Sequence, residues 1–522
     1  MRRTLTALAL TALLATSVPL VARADEHSAK NETVTNRKDD TTIAITVFKP
    51  AGAAPQRQAP VILHSHGWGG SRSTAIEGDV KAFLDAGFGV VSIDQRGHGE
   101  STGQANVQDP TKETEDIKAV IDHVASLKWV LHDKNSSGRV IANDPVLGAI
   151  GGSYGGGYQT MTALDETADE GRTRFNAIAP EITWYDLPES LAPQKVPRTA
   201  WTAVLYAAGA SMLPEYVHVA NAWGATTGQW PDGTVYGEKV DGVPDLDAEF
   251  HKHGPVWFVE RGHKINVPTL LRQGASDNLF NLNQGLKIFD KALTKAARSK
   301  SLFVSFNGGH ALPNALPAGN PAAAEVGGGV DACSGNWTKL RIAFFRKAFA
   351  GANPSKLLPS RYNFTDLDGE TCTGVDRFDH STLKVDPLGT GSVISTTGLG
   401  APLSLQVEKG PVTVTGIPRL SGTVTSAGLD SRVFFGLATG TSPADARVVQ
   451  NNLMPLREIM PAADKKFNIE LPGVSVKVPK GQSLFLTISP ESDMYFAHGS
   501  KPPGGLVLSK LKLDLTVPEA KN

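Results

Sequence analysis

Between residues 41 and 349 of the 522-residue chain, short β-branched apolar runs alternate with helical periodicities. From about Ser381 the helical periodicity disappears, and alternating runs separated by Gly and Pro take over. These two observations predict an α/β fold class: a parallel sheet wrapped by helices, followed by an all-β sandwich or jelly roll. A third marks a functional turn in the α/β part. The apolar run Val146–Ile150 leads into Gly151-x-Ser153-x-Gly155 and then a helix, the spacing of a nucleophile elbow.

The elements follow in order. Arg2-Arg3, the uncharged apolar run Leu5–Val21 and Ala22-Arg23-Ala24 have the layout of a signal peptide. Residues 1–24 are therefore expected to be removed and the mature protein to be secreted, extracellular or periplasmic. Residues 25–40 are polar and charged, as in a disordered leader. Thr41–Phe48 alternates like an edge strand, and Pro60–His64 and Phe88–Asp94 read as buried strands. Helices are expected over Ala75–Ala86 and Thr114–Leu131, the latter with Ile117, Val120, Ile121, Val124 and Leu127 on one face. After the elbow, Phe175–Pro180 is a short strand. Residues 184–264 then break the rhythm with many aromatics and two helix-like runs, the pattern of an inserted cap. Ile265–Leu271 resumes the alternation. A helix over 282–297, a last strand at Ser301–Phe306 and an amphipathic helix at Trp337–Phe349 complete the unit. The predicted organisation is a catalytic domain over 25–380, with its cap at about 184–264, and a β domain over 381–522.

Composition narrows the function. A net charge of −1 with 20% charged residues lacks the basic stripe of a nucleic-acid binder. After the signal segment no stretch is long and apolar enough to act as a membrane helix. The two cysteines, Cys333 and Cys372, read as a disulfide in an oxidising compartment, with two inert thiols as the alternative.

The chemistry rests on residue order. A serine hydroxyl needs a base to take its proton and a third group to orient that base. Ser153, Asp277 and His310 each follow a predicted strand, in the order nucleophile, acid, base of the α/β-hydrolases. The backbone N–H groups of Tyr154 and Trp68 are the expected oxyanion donors, the second from His66-Gly67-Trp68-Gly69 after the second strand. No cofactor or metal is expected. His64, His66 and His98 read as structural, and Asp366-Leu367-Asp368-Gly369-Glu370 does not match the spacing of a calcium loop.

The elbow Gly-Gly-Ser153-Tyr154-Gly-Gly, the cap, Asp277, Gly-Gly-His310 and the C-terminal β region together resemble the X-Pro dipeptidyl-peptidase and cocaine-esterase (CocE/NonD-like) family of serine hydrolases. Gly416-Ile417-Pro418-Arg419-Leu420-Ser421-Gly422 is similar to the opening of that family's jelly roll. The resemblance implies Ser153 as nucleophile, Asp277 as acid and His310 as base. One departure is visible. The family often places a tyrosine hydroxyl in the first oxyanion loop, where this chain has His66-Gly67-Trp68-Gly69, closer to lipases and general esterases. The expected partner is a small-molecule or peptide acyl substrate. Three functions compete: an exported ester or amide hydrolase acting through an acyl-enzyme, an X-Pro dipeptidyl-peptidase, and a polymer-binding protein on an inactive hydrolase scaffold.

Overall fold

Strands apolar on both faces must be covered on both sides, which favours a parallel sheet between helices. β3 (Val61–Ser65), β4 (Gly89–Ile93) and β5 (Leu147–Gly152) meet that condition, being buried almost throughout. A computed structural model of the chain describes residues 26–321, 331–376, 383–388, 393–396, 401–498 and 505–517. The expected signal peptide lies outside the described residues. With β1 (Ser28–Asn36), β2 (Thr41–Lys49), β6 (Ala177–Glu181), β7 (Leu270–Gly274), β8 (Leu302–Phe306), β9 (Tyr362–Thr365) and β10 (Cys372–Val375), these strands form one ten-stranded sheet. Its order is β1-β2-β4-β3-β5-β6-β7-β8-β9-β10, and it is parallel from β4 through β9. This is the α/β-hydrolase arrangement.

Three expectations change. Residues 25–40 are not a disordered leader: β1 pairs with β2 from Ser28↔Lys49 to Asn36↔Thr41. Its polar composition reflects an edge strand with one face in water, turned at Asp40 with φ 58°. Thr41–Lys49 consequently lies second from the edge. Ser301–Phe306 is not the last strand of the sheet, because β9 and β10 extend it. The helix expected over 282–297 is broken. Leu282–Lys287 runs into a π-helical turn at Ile288–Ala292, and Leu293 turns extended before a short helix at Lys295–Ser299.

Helices α1 (Gly78–Asp85), α2 (Glu113–Ser126) and α3 (Tyr154–Glu170) pack on the sheet, as does the helix at Trp337–Phe349. Ile117, Val120, Ile121 and Val124 bury the predicted face of α2. Between β6 and β7 the chain leaves the sheet for helices α4 (Leu187–Leu191), α5 (Thr199–Gly209), α6 (Glu215–Thr227), α7 (Leu246–His251) and α8 (Pro255–Glu260).

Beyond β10 the described elements are almost all antiparallel strands. Gly505–Leu515 pairs with Arg419–Ala427, and Ser431–Gly440 with Ser483–Ser489, in two sheets that share an apolar core. Gly505–Leu515 shows how a strand serves that core despite a parity change. Leu506 and Leu508 are buried, then Leu511, Leu513 and Leu515, and the switch occurs at Lys510, whose φ is 52°. The register against Arg419–Ala427 slips there, so one extra residue returns the leucines to the inner face.

Cys333 and Cys372 form a disulfide across 39 residues, which ties the segment before the Trp337–Phe349 helix to β10. Closing a loop of this length constrains the unfolded chain by about 4 kcal/mol. A Cys333→Ser/Cys372→Ser double variant is expected to keep the fold with a lower thermal midpoint, and dithiothreitol is expected to lower the wild-type midpoint similarly. An unchanged midpoint in both cases, followed by calorimetry, would refute a stabilising role.

Candidate active site

Ser153 stands between β5 and α3 with φ 58° and ψ −122°, a conformation a non-glycine residue adopts only when its surroundings hold it there. Two glycines permit the turn. A Cβ on Gly151 (φ 146°) would lie 2.5 Å from Gly155 O and 2.7 Å from Ser65 O. A Cβ on Gly155 would lie 2.5 Å from Ser65 O. The strand, the turn and the loop after β3 thus touch backbone to backbone, which only Gly allows. Ser153 N donates to Glu181 O at 2.9 Å, fixing the turn to the end of β6.

Asp277 and His310 arrive from the ends of β7 and β8. Their loops approach closely: a Cβ on Gly274 would be 2.1 Å from Gly308 O, and one on Gly309 (φ 110°) would be 2.6 Å from Asp277 Cβ. His310 Nε2 lies 2.9 Å from Ser153 Oγ, and Nδ1 lies 2.7 Å from Asp277 Oδ2. Asp277 is wholly buried, and its Oδ1 accepts from the backbone N–H groups of Leu279 (3.1 Å) and Phe280 (2.7 Å). That leaves Oδ2 for the imidazole. Trp201 and Phe280 meet the His310 ring edge to face, with centroids 5.8 and 5.2 Å away. The structure therefore brings together three residues that lie 33 and 157 positions apart in pairs.

The loop named for the second oxyanion donor lies against Ser153: a Cβ on Gly67 would be 3.7 Å from Ser153 Cβ. Trp68 turns its indole into the cap, donating from Nε1 to Leu205 O at 3.0 Å. The buried Tyr154 ring packs on Trp68 and His98. His66 shapes this loop. Gln95 N–H donates to its Nε2 at 3.1 Å, and its Nδ1 is 2.8 Å from Gly67 O, so the ring is neutral with the proton on Nδ1. Burial lowers its pKa, and burial lowers those of His64 and His98 to about 4.

Sequence reasoning passed over Asn278, although the loop is organised around it. Its N–H donates to His310 O (2.9 Å), its Nδ2 donates to Leu312 O (2.7 Å), and its Oδ1 accepts from Trp201 Nε1 (2.7 Å). Buried Arg198 in the cap donates to Asn278 O at 2.5 Å. Asn452, from the β region, donates to Asp277 O at 2.8 Å. A single Asn after an Asp carries no local signal of such a role.

Above Ser153 the cap and the β region enclose a cavity of about 400 Å³. Trp68, Trp184, Leu187, Leu213, Trp230, Phe250 and Phe280 line it, and Phe496 and His498 close it from the β region. Among the described lining residues there is no Asp, Glu, Lys or Arg. Of the cap aromatics, Trp184, Tyr206 and Trp230 face the cavity, Tyr185 and Trp257 pack on the main core, and Tyr216 and Tyr236 are exposed. His263 stands beyond α8, before β7, away from the serine's end of the sheet.

With this geometry in view, comparison with known proteins places the chain. Residues 39–311 match the X-Pro dipeptidyl-peptidase (S15 family) pattern. The chain belongs to the S15 family of serine hydrolases. Among solved structures, it is similar over 98% of its length to an aminopeptidase from the marine sediment archaeon Thaumarchaeota archaeon, covering 99% of that chain (TM-score 0.64, 14% identity). It is also similar to a CocE/NonD family hydrolase from Staphylococcus aureus (94% of each chain, TM-score 0.61, 12% identity) and to an alpha-amino acid ester hydrolase (97% and 99%, TM-score 0.61, 14% identity). At these identities the likeness is one of fold. An uncharacterized 31.7 kDa protein of Escherichia coli is 30% identical over 26% of this chain and 41% of its own length, so the S15 chain spans about two fifths of that relative. A bifunctional esterase/perhydrolase of Acinetobacter calcoaceticus is 35% identical over 18% of this chain and 36% of its own.

The neutral histidines give a pH expectation. A histidine with a folded-state pKa near 4, against about 6.5 unfolded, adds stability above pH 6.5 that is lost as pH falls toward 4. Buried Glu113, pushed up to about 8 by burial, acts in the opposite sense. The test is therefore a difference. The thermal midpoint of His98→Gln is expected to fall less between pH 7 and pH 5 than that of the wild type, and parallel curves would contradict the assignment.

Proposed function

We propose that this S15 enzyme is an exported carboxylic ester hydrolase that works through an acyl-enzyme on Ser153. The arrangement that carries this reading is the hydrogen-bonded series Ser153 Oγ, His310 Nε2, His310 Nδ1, Asp277 Oδ2, with its serine opening into the apolar cavity. His310 Nε2 takes the proton of Ser153 Oγ as the oxygen attacks the ester carbonyl. Asp277 accepts from Nδ1–H and stabilises the imidazolium. The N–H groups of Tyr154 and Trp68 receive the oxyanion, each worth about 3–4 kcal/mol. The imidazolium returns its proton to the departing alcohol, and a water deprotonated by His310 then releases the acid. In this reading residues 25–380 with the cap form the catalytic domain, and residues 381–522 form a β domain that closes the cavity through Phe496 and holds Asp277 through Asn452.

The cavity favours an ester with an uncharged apolar group. An X-Pro dipeptide carries a free ammonium, which needs an acceptor such as a carboxylate once it leaves water, and the described lining offers none. Family membership keeps the dipeptidyl-peptidase as the second reading. Export rests on the signal-like N-terminus and agrees with the disulfide.

Ser153→Ala is expected to keep the wild-type circular dichroism and thermal midpoint while losing at least about 10³-fold in p-nitrophenyl butyrate turnover and all fluorophosphonate labelling. Asp277→Asn is expected to lose about 10⁴-fold in kcat. Full activity in the serine variant would exclude the mechanism. Turnover of Ala-Pro-p-nitroanilide above that of the butyrate ester would move the assignment to the second reading.

A further inference from the structure

Behind the cavity wall lies a group of side chains that the proposed hydrolysis does not use. Asp109 precedes α2, Glu249 is on α7 and His253 follows α7 by two residues. One ligand atom from each comes within 4.8 Å of the other two. His253 is 1% exposed, yet neither ring nitrogen has a hydrogen-bond partner. A buried imidazole with both nitrogens idle is costly, so the space it faces calls for an occupant.

The geometry points to a divalent transition-metal site, zinc by its ligand chemistry, formed by Asp109, Glu249 and His253 and joining the cap to the loop before α2. The separation between His253 Nε2 and Glu249 Oε1 is 3.7 Å. That is too long for a hydrogen bond, but close to the edge of about 3.4 Å of a tetrahedron with zinc bonds of about 2.0–2.1 Å. Each carboxylate has one oxygen engaged elsewhere. Lys252 Nζ donates to Glu249 Oε2 at 2.8 Å, and the N–H and hydroxyl of Thr111 donate to Asp109 Oδ1 at 2.8 and 2.7 Å. The second oxygen of each is available to an ion. One imidazole with two carboxylates suits zinc better than calcium, which prefers an all-oxygen shell. The other acidic group among the described residues shows the contrast. Glu115, Asp165 and Asp169 close on Lys118 Nζ at 3.0, 2.6 and 2.8 Å, so their counter-charge is internal. Here the described ion pairs reach Glu249 alone, from Lys252 Nζ at 2.8 Å on Oε2 and from His253 Nε2 at 3.7 Å on Oε1, and none of them includes Asp109.

The site adjoins the cavity through its backbone. Phe250 lies between Glu249 and His253 in sequence and lines the cavity, and Val107, two residues before Asp109, lines it too. Trp184, another lining residue, donates from Nε1 to His253 O at 2.7 Å. An ion here would pin the cap to the hydrolase core directly behind that wall.

The test uses the full-length, untagged protein stripped with a chelator and titrated with zinc chloride alone by calorimetry, with thermal unfolding in parallel. One equivalent is expected to bind and to raise the midpoint, with affinity at least tenfold higher for zinc than for calcium. Glu249→Gln and Asp109→Asn, both at partly exposed positions, are each expected to weaken this equivalent at least tenfold. They carry the test because His253→Gln would alter a buried position and can fail to fold. Zinc binding unaffected by both variants, or no equivalent beyond theirs, would overturn the site and leave the three side chains sharing only a proton. The readout does not involve hydrolysis, so this outcome is independent of the role assigned to Ser153.

Discussion

The close approach of three backbone segments at Ser153 is the constraint from which the rest of the site follows. β5 must end, reverse and begin a helix within a few residues, while the loop after β3 passes within van der Waals reach of the same turn. Gly151 and Gly155 make this possible because a Cβ at either would run into Ser65 O. The result is a serine held at φ 58° at the first turn of α3. Strain of this kind costs about 1–3 kcal/mol and persists only where the surroundings over-determine it. Here the surroundings are the Ser153 N to Glu181 O bond and the buried tyrosine Tyr158, whose hydroxyl donates toward Leu63 O and Ile150 O at 3.1 Å each. Glu181 is in turn held by buried Arg272 and Arg341. The elbow therefore rests on rigid strands rather than on a loop.

The Asp277 and His310 loops are braced partly from within, Asp277 Oδ1 accepting from Leu279 and Phe280 N–H, and partly by the cap and the β region. Asn278 ties the Asp277 loop to the His310 loop, Arg198 and Trp201 fasten it to the cap, and Asn452 fastens it to the β region. Further contacts join the parts at a distance, with Asn283 donating to Leu471 O and accepting from Gly473 N. An apolar cluster likewise mixes cap residues such as Trp201 and Phe250 with Phe434, Leu453 and Tyr495 of the β region. The described residues after 381 thus line the cavity and bond to the Asp277 backbone.

How much of this was legible in the chain depended on whether the signal was local. Ser153 announces itself through its glycines, and Asp277 and His310 through the strands that precede them. The Trp337–Phe349 helix and the face of α2 were readable because one apolar stripe repeats at helical spacing. β1 was not, because an edge strand with one wet face has the composition of a disordered tail. β9 and β10 follow a long helix and join a sheet that already looked finished. The parity switch at Lys510 depends on a backbone angle that lysine does not advertise. Asn278, Arg198, Asn452 and Phe496 matter through partners tens to hundreds of residues away, and a single sequence contains no trace of those pairings.

Polarity is divided sharply across the site, and that division limits the chemistry. Around the serine several buried charges pair with one another: Arg72 with Asp94, Arg96 with Asp116, and Glu181 with two arginines. Above it the described lining is apolar, with polar groups contributed by Ser153, a few hydroxyls and amides, and His498, whose ring is bonded to Arg432. On the proposed reading, a substrate entering the cavity gives up water without gaining a charged partner from the described lining, so groups that lose little by desolvation are favoured. On that reading the same apolar lining would strengthen hydrogen bonds aimed at the reacting carbonyl, because fixed donors act on developing charge with less competition from solvent. Selection of an apolar substrate and stabilisation of its anionic intermediate would then, on the proposed reading, be two consequences of one arrangement, paired buried charges beside a described lining without charged side chains.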